Sequence, residues 1–98
     1  MEMMELMKRL HGCTRKLGND RRKLNHMLKK AGIEFEWHNL YDGYQWTFAQ
    51  YPCGDVAIHG GTYGSHRGHV ESYCMPWDDG DVTELTKIEL ITNLTKGK

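Results

Sequence analysis

The sequence predicts an α+β protein with an N-terminal helical segment, an antiparallel sheet of four to five strands and a short C-terminal helix. Apolar residues recur at helical spacings through residues 1–31, the period changes to two after Gly32, and helical spacing returns over residues 86–95. A chain of 98 residues supports one compact unit with a small core. We therefore expect a single domain over residues 1–98, with the sheet in residues 32–85.

The first 31 residues are predicted to be helical. Gly18-Asn19-Asp20 could interrupt this helix, because Asn19 or Asp20 could cap a second one. The apolar spacing continues across these residues, so one long helix and two shorter ones both fit. Gly32 stands where a glycine that ends a helix is expected. The apolar residues of the segment are Met3, Leu6, Leu10, Cys13, Leu17, Leu24, Met27 and Ala31.

The sheet is predicted from alternation and from turn signals. Residues 33–38 alternate apolar and polar side chains, as a half-buried strand does. Asp42-Gly43 is a typical hairpin turn between two aromatic runs. The segments GDVAIHGGTYG and HVESYCM predict a second strand pair around a glycine-rich turn. Pro76 and the acidic residues 78–81 then end the sheet.

The C-terminal segment combines a short strand with a helix. Residues 82–85 are compatible with a strand. Thr86 and Glu89 have the spacing of a capping box, in which each side chain accepts a hydrogen bond from the other residue's backbone. The predicted apolar face of this helix consists of Leu85, Ile88, Ile91 and Leu94.

The net charge of zero conceals an uneven distribution. Residues 1–31 carry nine basic and three acidic residues, and the remaining chain carries four basic and ten acidic residues, so the two parts are at about +6 and −6. Such a dipolar molecule can meet a partner of either sign, depending on the side it presents. No apolar run is long enough to span a bilayer and the N-terminus lacks a signal-peptide core, so we expect a cytoplasmic protein without membrane contact.

Cysteine and histidine cluster around the glycine-rich turn and predict a structural zinc site. The expected ligands are Cys53, His59, His69 and Cys74, with His66 as a substitute. If the turn centres near His66, His59 falls opposite Tyr73 or Cys74. The spacing contains no Cys-x-x-Cys pair, and packed thiols with solvated histidines remain the alternative. In a cytoplasmic protein these thiols are expected to stay reduced.

The same turn is a poor match to two other chemistries. Its glycines lack the spacing of a phosphate-binding loop and no helix with Lys-Ser/Thr follows. Cys53 or Cys74 with His59 and Asp55 could form a nucleophilic site, but a chain this short has little room for an enclosed pocket. A zinc hydrolase would need an open coordination position and a general base. We therefore expect no enzymatic activity.

Two charged groups are candidates for binding a partner. Arg21, Arg22 and Lys23 on the basic helix could contact phosphates, although the acidic part of the chain would repel a polyanion. Asp78, Asp79 and Asp81 could offer carboxylates to a basic groove, as a DNA mimic does. The aromatic residues of this region alternate as strand residues do and are assigned to the core and one sheet face: Trp37, Tyr41, Tyr44, Trp46 and Phe48.

Several of these segments resemble a group of small proteins encoded by phages and prophages of Gram-positive bacteria. The resemblance covers roughly residues 31–95 and rests on AGIEFEWHNLYDGYQW, on His59 before Tyr63-Gly64, and on Gly68, Glu71 and Leu85-Thr86. The longer N-terminal helix and the additional His66, His69 and Cys74 depart from the group's pattern. A metal site built from these additions would be particular to this branch.

The resemblance implies a setting in phage defence evasion. It implies an inhibitor of a host defence effector, namely a type II anti-CRISPR protein that binds the Cas9 nuclease stoichiometrically, with zinc in a structural role. Its compartment would be the cytoplasm of the infected bacterium. The alternative hypothesis is a small nucleic-acid-binding regulator that uses the basic helix.

Overall fold

The computed structural model describes residues 3–96, with side chains from Leu17 onward. Its elements confirm the predicted α+β class, with helices at both ends of the chain and a five-stranded antiparallel sheet between them. Met3, Leu6, Leu10 and Cys13, which we predicted on the apolar side of the first helix, lie outside the described side chains. The elements are α1 (Met3–Lys30), β1 (Phe35–Leu40), β2 (Gly43–Phe48), β3 (Tyr51–His59), a 3₁₀ turn (Ser65–Arg67), β4 (Val70–Tyr73), β5 (Thr83–Leu85) and α2 (Lys87–Lys96).

Helix α1 continues through the segment that could have divided it. Asp20 caps no second helix; its Oδ1 lies 2.9 Å from Nζ of Lys87 at the start of α2. The helix ends as predicted at Gly32, which has a left-handed φ of 72°. There the Ile33 N–H donates to the Leu28 carbonyl at 3.1 Å and the Gly32 N–H to the Lys29 carbonyl, which is the Schellman arrangement.

The sheet is a meander in the order β1-β2-β3-β4-β5, so β1 and β5 are its edges. Leu40 pairs with Gly43, which places the first hairpin turn at Tyr41-Asp42, one residue before the predicted Asp42-Gly43. The β2–β3 register shifts between Thr47 and Phe48. The free edge of β5 is three residues long, whereas that of β1 is six residues long.

Both helices contribute to a core on one face of the sheet. Trp46 on β2 is fully buried there, and its Nε1–H donates to Oδ1 of Asn25 on α1 at 2.7 Å. This bond satisfies the one polar atom of a large buried indole. The buried apolar residues in the cluster are Leu17, Leu24, Leu28, Ile33, Trp46, Phe48, Val56, Ile58, Val70, Met75, Leu85, Leu90 and Leu94.

Helix α2 begins with the predicted capping box. The Glu89 N–H donates to Oγ1 of Thr86 at 3.1 Å, and the Thr86 N–H donates to Oε1 of Glu89 at 2.9 Å. The predicted apolar face is partly wrong, because Ile88 is 71% exposed and Leu90 is fully buried. Leu90 and Leu94 are four residues apart and share one face, whereas Ile88 lies about 200° around the helix from Leu90.

The glycine-rich turn between β3 and β4 is centred differently from our expectation. Asp55, and not His59, lies opposite Tyr73. The turn therefore centres near Gly64, two residues before His66. Gly64 and Gly68 flank the 3₁₀ turn with left-handed φ angles of 74° and 77°, which glycine adopts without strain.

Candidate functional site on the open sheet face

The candidate site is the sheet face opposite the helices, which we call the outer face. Strand residues alternate between the two faces, and the register identifies those that point away from the buried core. An antiparallel sheet with one face on the core commonly leaves the other face to solvent. The outer-face residues are Glu36, His38, Leu40, Gln45, Thr47, Cys53, Asp55, Ala57, His59, Glu71, Tyr73 and Glu84.

The outer face is acidic. Its carboxylates come from four of the five strands, and the twelve outer-face residues include no lysine or arginine. Arg67 reaches this face from the turn, and its Nη2 lies 3.1 Å from Oε2 of Glu84. His69 Nδ1 lies 2.7 Å from the same oxygen. These two hydrogen bonds, first from His69 and then from Arg67, lower the pKa of Glu84.

Hydrogen bonds between strands, within β4 and from the turn hold the polar side chains of this face in place. Nε2 of Gln45 donates to Oδ2 of Asp55 at 2.6 Å, and the Tyr73 hydroxyl donates to Oε1 of Glu71 at 3.2 Å. Burial, together with the charge of Glu71, raises the pKa of Tyr73 to about 12. Glu71 is only 6% exposed and also accepts the Tyr63 N–H at 3.1 Å. The face is therefore an ordered polar surface over β2, β3 and β4.

A shallow groove of about 360 Å³ crosses the middle of the outer face. Three of the predicted zinc ligands, Cys53, His59 and Cys74, line it. Cys53 and Cys74 are exposed free thiols. Cys74 has a left-handed φ of 57°, a conformation that costs a non-glycine residue roughly 1–2 kcal/mol. The remaining lining residues are Leu40, Gln45, Asp55, Ala57 and Tyr73.

The fourth predicted ligand, His69, lies apart from this group. It does not line the groove and contacts Glu84 instead, while the substitute His66 is exposed on the 3₁₀ turn. His59 Nδ1 accepts the Gly61 N–H at 3.0 Å and lies 3.9 Å from Oδ2 of Asp42. Among residues 17–96, no group of three or more His, Cys, Asp or Glu side chains is close enough to hold a metal ion. The structure therefore places three of the predicted ligands on one groove and His69 away from them.

The acidic loop after β4 divides into one inward and two outward carboxylates. Asp78, which we predicted as a partner contact, is 3% exposed. Its Oδ1 accepts the Ser72 hydroxyl at 2.6 Å, and its Oδ2 accepts the Met75 N–H at 2.9 Å. Asp79 and Asp81 are exposed, as that prediction requires. Asp78 is thus a structural residue of the loop.

Of the three basic residues that we predicted as phosphate contacts on α1, two are exposed and one packs against the sheet. Arg22 and Lys23 are exposed, whereas Arg21 lies over the edge of the sheet. The Arg21 guanidinium carbon is 4.4 Å from the centre of the Trp37 ring and 5.2 Å from that of Tyr44. Arginine on an aromatic face is stabilised by a cation–π interaction. Arg21 therefore stabilises the packing of α1 against β1 and β2.

Sequence reasoning missed most of the outer face. Glu36, Gln45, Glu71 and Tyr73 carried no motif that pointed to a shared surface. The signal that could have found them is the period of two, which places every second strand residue on one face, but the face of β4 depends on its register with β3. That register became visible only in the fold.

No protein-family model matches the sequence, and neither the curated proteins nor the solved structures contain a match. In the part of the chain that the structure describes, neither helix is long and apolar enough to cross a membrane. Fold and site together define an α+β protein with helices on one face of a meander sheet and an acidic open face on the other.

Proposed function

We propose that this protein is a non-catalytic binding domain whose acidic outer face docks onto a basic surface of another protein. The observation that carries the proposal is the set of carboxylates on one open face without a lysine or arginine among the outward-pointing strand residues. Complementary potentials accelerate association and fix the orientation of the complex. Asp79 and Asp81 add two exposed carboxylates.

The proposed partner is a Cas9-type nuclease in the cytoplasm of an infected bacterium. The resemblance to small phage proteins supports this setting. Charge supports it independently, because such nucleases hold their guide–target duplex in a positively charged channel. An acidic sheet face that occupies a basic channel would exclude nucleic acid in a stoichiometric manner, without turnover.

Charge reversal of two exposed carboxylates, Glu36 on the outer face and Asp81 in the loop after β4, is expected to weaken inhibition. In Glu36→Lys/Asp81→Lys the association rate with Cas9 should fall by roughly tenfold at low salt, since electrostatic steering acts mainly on this rate. Biolayer interferometry gives the rate, and a DNA-cleavage titration gives the stoichiometry. Lys23→Glu/Lys29→Glu on α1 is the matched control, with two exposed lysines reversed, and should bind at the unaltered rate.

Two results would contradict the proposal. One is a fall in the association rate of the α1 control that equals or exceeds the fall in Glu36→Lys/Asp81→Lys. The other is complete inactivation of a molar excess of Cas9, because that requires turnover and hence an enzyme.

A nucleic-acid-binding regulator is the second candidate, and the exposed basic side of α1 favours it. Arg22, Lys23, His26, Lys29 and Lys30 are all exposed there. Phosphate contacts from these residues would make DNA binding weaken steeply with salt. A gel shift at low salt distinguishes the two functions: the regulator binds DNA and loses this binding in Lys23→Glu/Lys29→Glu, whereas the inhibitor gives no shift.

A structural zinc site remains a prediction, and forming it would require the side chains around the groove to move. His59 accepts a hydrogen bond at Nδ1, so its neutral ring carries the proton on Nε2 and would have to change tautomer to bind through that atom. Protein purified without a metal-binding tag should contain about one zinc per chain. Cys53→Ser should lose it, and His66→Ala, outside the groove, should keep it. Metal-free protein whose melting temperature is unchanged by zinc would reject this prediction.

A further inference from the structure

The backbone of β1 forms a free edge of the sheet, next to the outer-face side chains of Glu36, His38 and Leu40. Three of the six large apolar side chains that are exposed in the described part of the chain lie on β1 or its turn: Trp37 at 39%, Leu40 at 37% and Tyr41 at 98%. Strand edges are usually protected by lysine, proline, bulges or short length. β1 (FEWHNL) has neither lysine nor proline, and it pairs with β2 over all six residues without a register shift.

The hairpin determines which backbone groups of β1 face outward. A two-residue turn makes Leu40 and Gly43 a hydrogen-bonded pair, and pairs of this kind alternate along an antiparallel ladder. Leu40, His38 and Glu36 therefore direct their N–H and C=O groups toward β2. Phe35 and Trp37, together with Asn39, direct theirs to the free edge, where another strand can bind them.

We propose that β1 pairs with β1 of a second copy of this chain, antiparallel and centred on Trp37, to form a continuous ten-stranded sheet. This register pairs Trp37 with the second copy's Trp37 and Phe35 with the second copy's Asn39. All these residues present outward backbone groups, so the twofold contact is hydrogen-bonded along its length. The inference does not rest on the proposed function.

The side chains of this register are self-complementary, with a carboxylate opposite an imidazole, which favours a second copy over an unrelated strand. Glu36 falls opposite the second copy's His38, and the reverse pair follows by symmetry. Both belong to non-hydrogen-bonded positions, where the facing side chains approach most closely. Within one chain Oε2 of Glu36 already lies 4.0 Å from Nε2 of His38, so both side chains lie on the same part of the outer face. A carboxylate thus meets an imidazole twice across the interface.

Sedimentation velocity under reducing conditions tests the oligomeric state. The wild-type protein should run at twice its chain mass of 11.4 kDa. His38→Glu places like charges opposite each other at both symmetric pairs and should raise the dimer dissociation constant roughly tenfold. Glu36→His/His38→Glu again places a carboxylate opposite an imidazole in the same register and should recover the dimer. Thermal melts of each variant establish that the monomer remains folded.

Amide hydrogen exchange tests the register directly. In the dimer the N–H groups of Phe35, Trp37 and Asn39 should exchange as slowly as those of Glu36 and His38, whereas in a monomer they should exchange fast. A wild-type monomer overturns the proposal. The β1 register is overturned if His38→Glu dimerises as tightly as the wild type. It is also overturned if Glu36→His/His38→Glu does not recover dimerisation.

Discussion

Gly43→Ala is expected to lower the free energy of unfolding by about 3 kcal/mol or more. A Cβ added at Gly43 would lie 2.1 Å from the Ile58 carbonyl oxygen and 2.6 Å from the Cα of His59. These are backbone atoms of the neighbouring strand, so relief requires β2 and β3 to separate. The β2–β3 ladder is central in the sheet, and its opening would disturb the core on one side and the groove on the other.

Gly18→Ala is the matched control and should change stability in the opposite direction. A Cβ at Gly18 would lie 3.6 Å from the Tyr44 hydroxyl oxygen, an ordinary contact. Because glycine in a helix interior costs about 0.8–1 kcal/mol relative to alanine, this variant should be stabilised by up to that amount. Urea denaturation followed by circular dichroism measures both. Equal midpoints for Gly43→Ala and the wild type would contradict the close strand packing.

Asp78→Ala is expected to destabilise the protein by about 2–4 kcal/mol. The substitution leaves the buried Ser72 hydroxyl and the Met75 N–H without their acceptor. The effect extends to Trp77, whose Nε1–H donates to Oγ of Ser72 at 2.9 Å. The loop after β4 is therefore held by one carboxylate and the hydroxyl that it orients.

Asp79→Asn is the control for Asp78→Ala, because it removes a charge from the same loop without removing a buried hydrogen-bond acceptor. Asp79 is exposed with a φ of 53°, and asparagine tolerates that conformation. The control should stay within about 0.5 kcal/mol of wild type, as surface substitutions usually do. Urea midpoints compare the two variants, and the Trp77 indole N–H resonance in NMR reports the Ser72 bond. Similar small losses in both variants would show that Asp78 does not hold the loop and would leave it available as the partner contact that the sequence predicted.

The features that could be predicted from the sequence are those that depend on near neighbours in the chain. Gly32 ends α1 because only the preceding turn is needed to specify a left-handed cap. Thr86 and Glu89 form their capping box within four residues. The alternation after Gly32 predicted strands because the pleat itself has a period of two. Cys53 and His59 were expected near each other because both lie on β3, and the pairing of β3 with β4 brings Cys74 to the same groove.

Contacts between distant segments were decided by the tertiary structure. Asp20 is a plausible cap by its sequence, yet Lys87, 67 residues later, uses its carboxylate inside a continuous helix. Asp78 resembles a solvated loop residue until the fold brings Ser72 and the Met75 N–H to it. Such roles follow from burial and charge pairing, which the local residue pattern does not encode.

By itself the sequence determined the α+β class, the order of helices and strands, the caps of both helices and the separation of charge between the basic segment and the acidic remainder. The tertiary structure decided the β3–β4 register, and with it the cross-strand neighbours on the outer face, the place of Tyr73 opposite Asp55 and the position of His69 beside Glu84. The physical reason is that strand pairing joins residues far apart in the chain: a turn centred two residues later would shift every β3–β4 partner by four positions and place His59, instead of Asp55, opposite Tyr73.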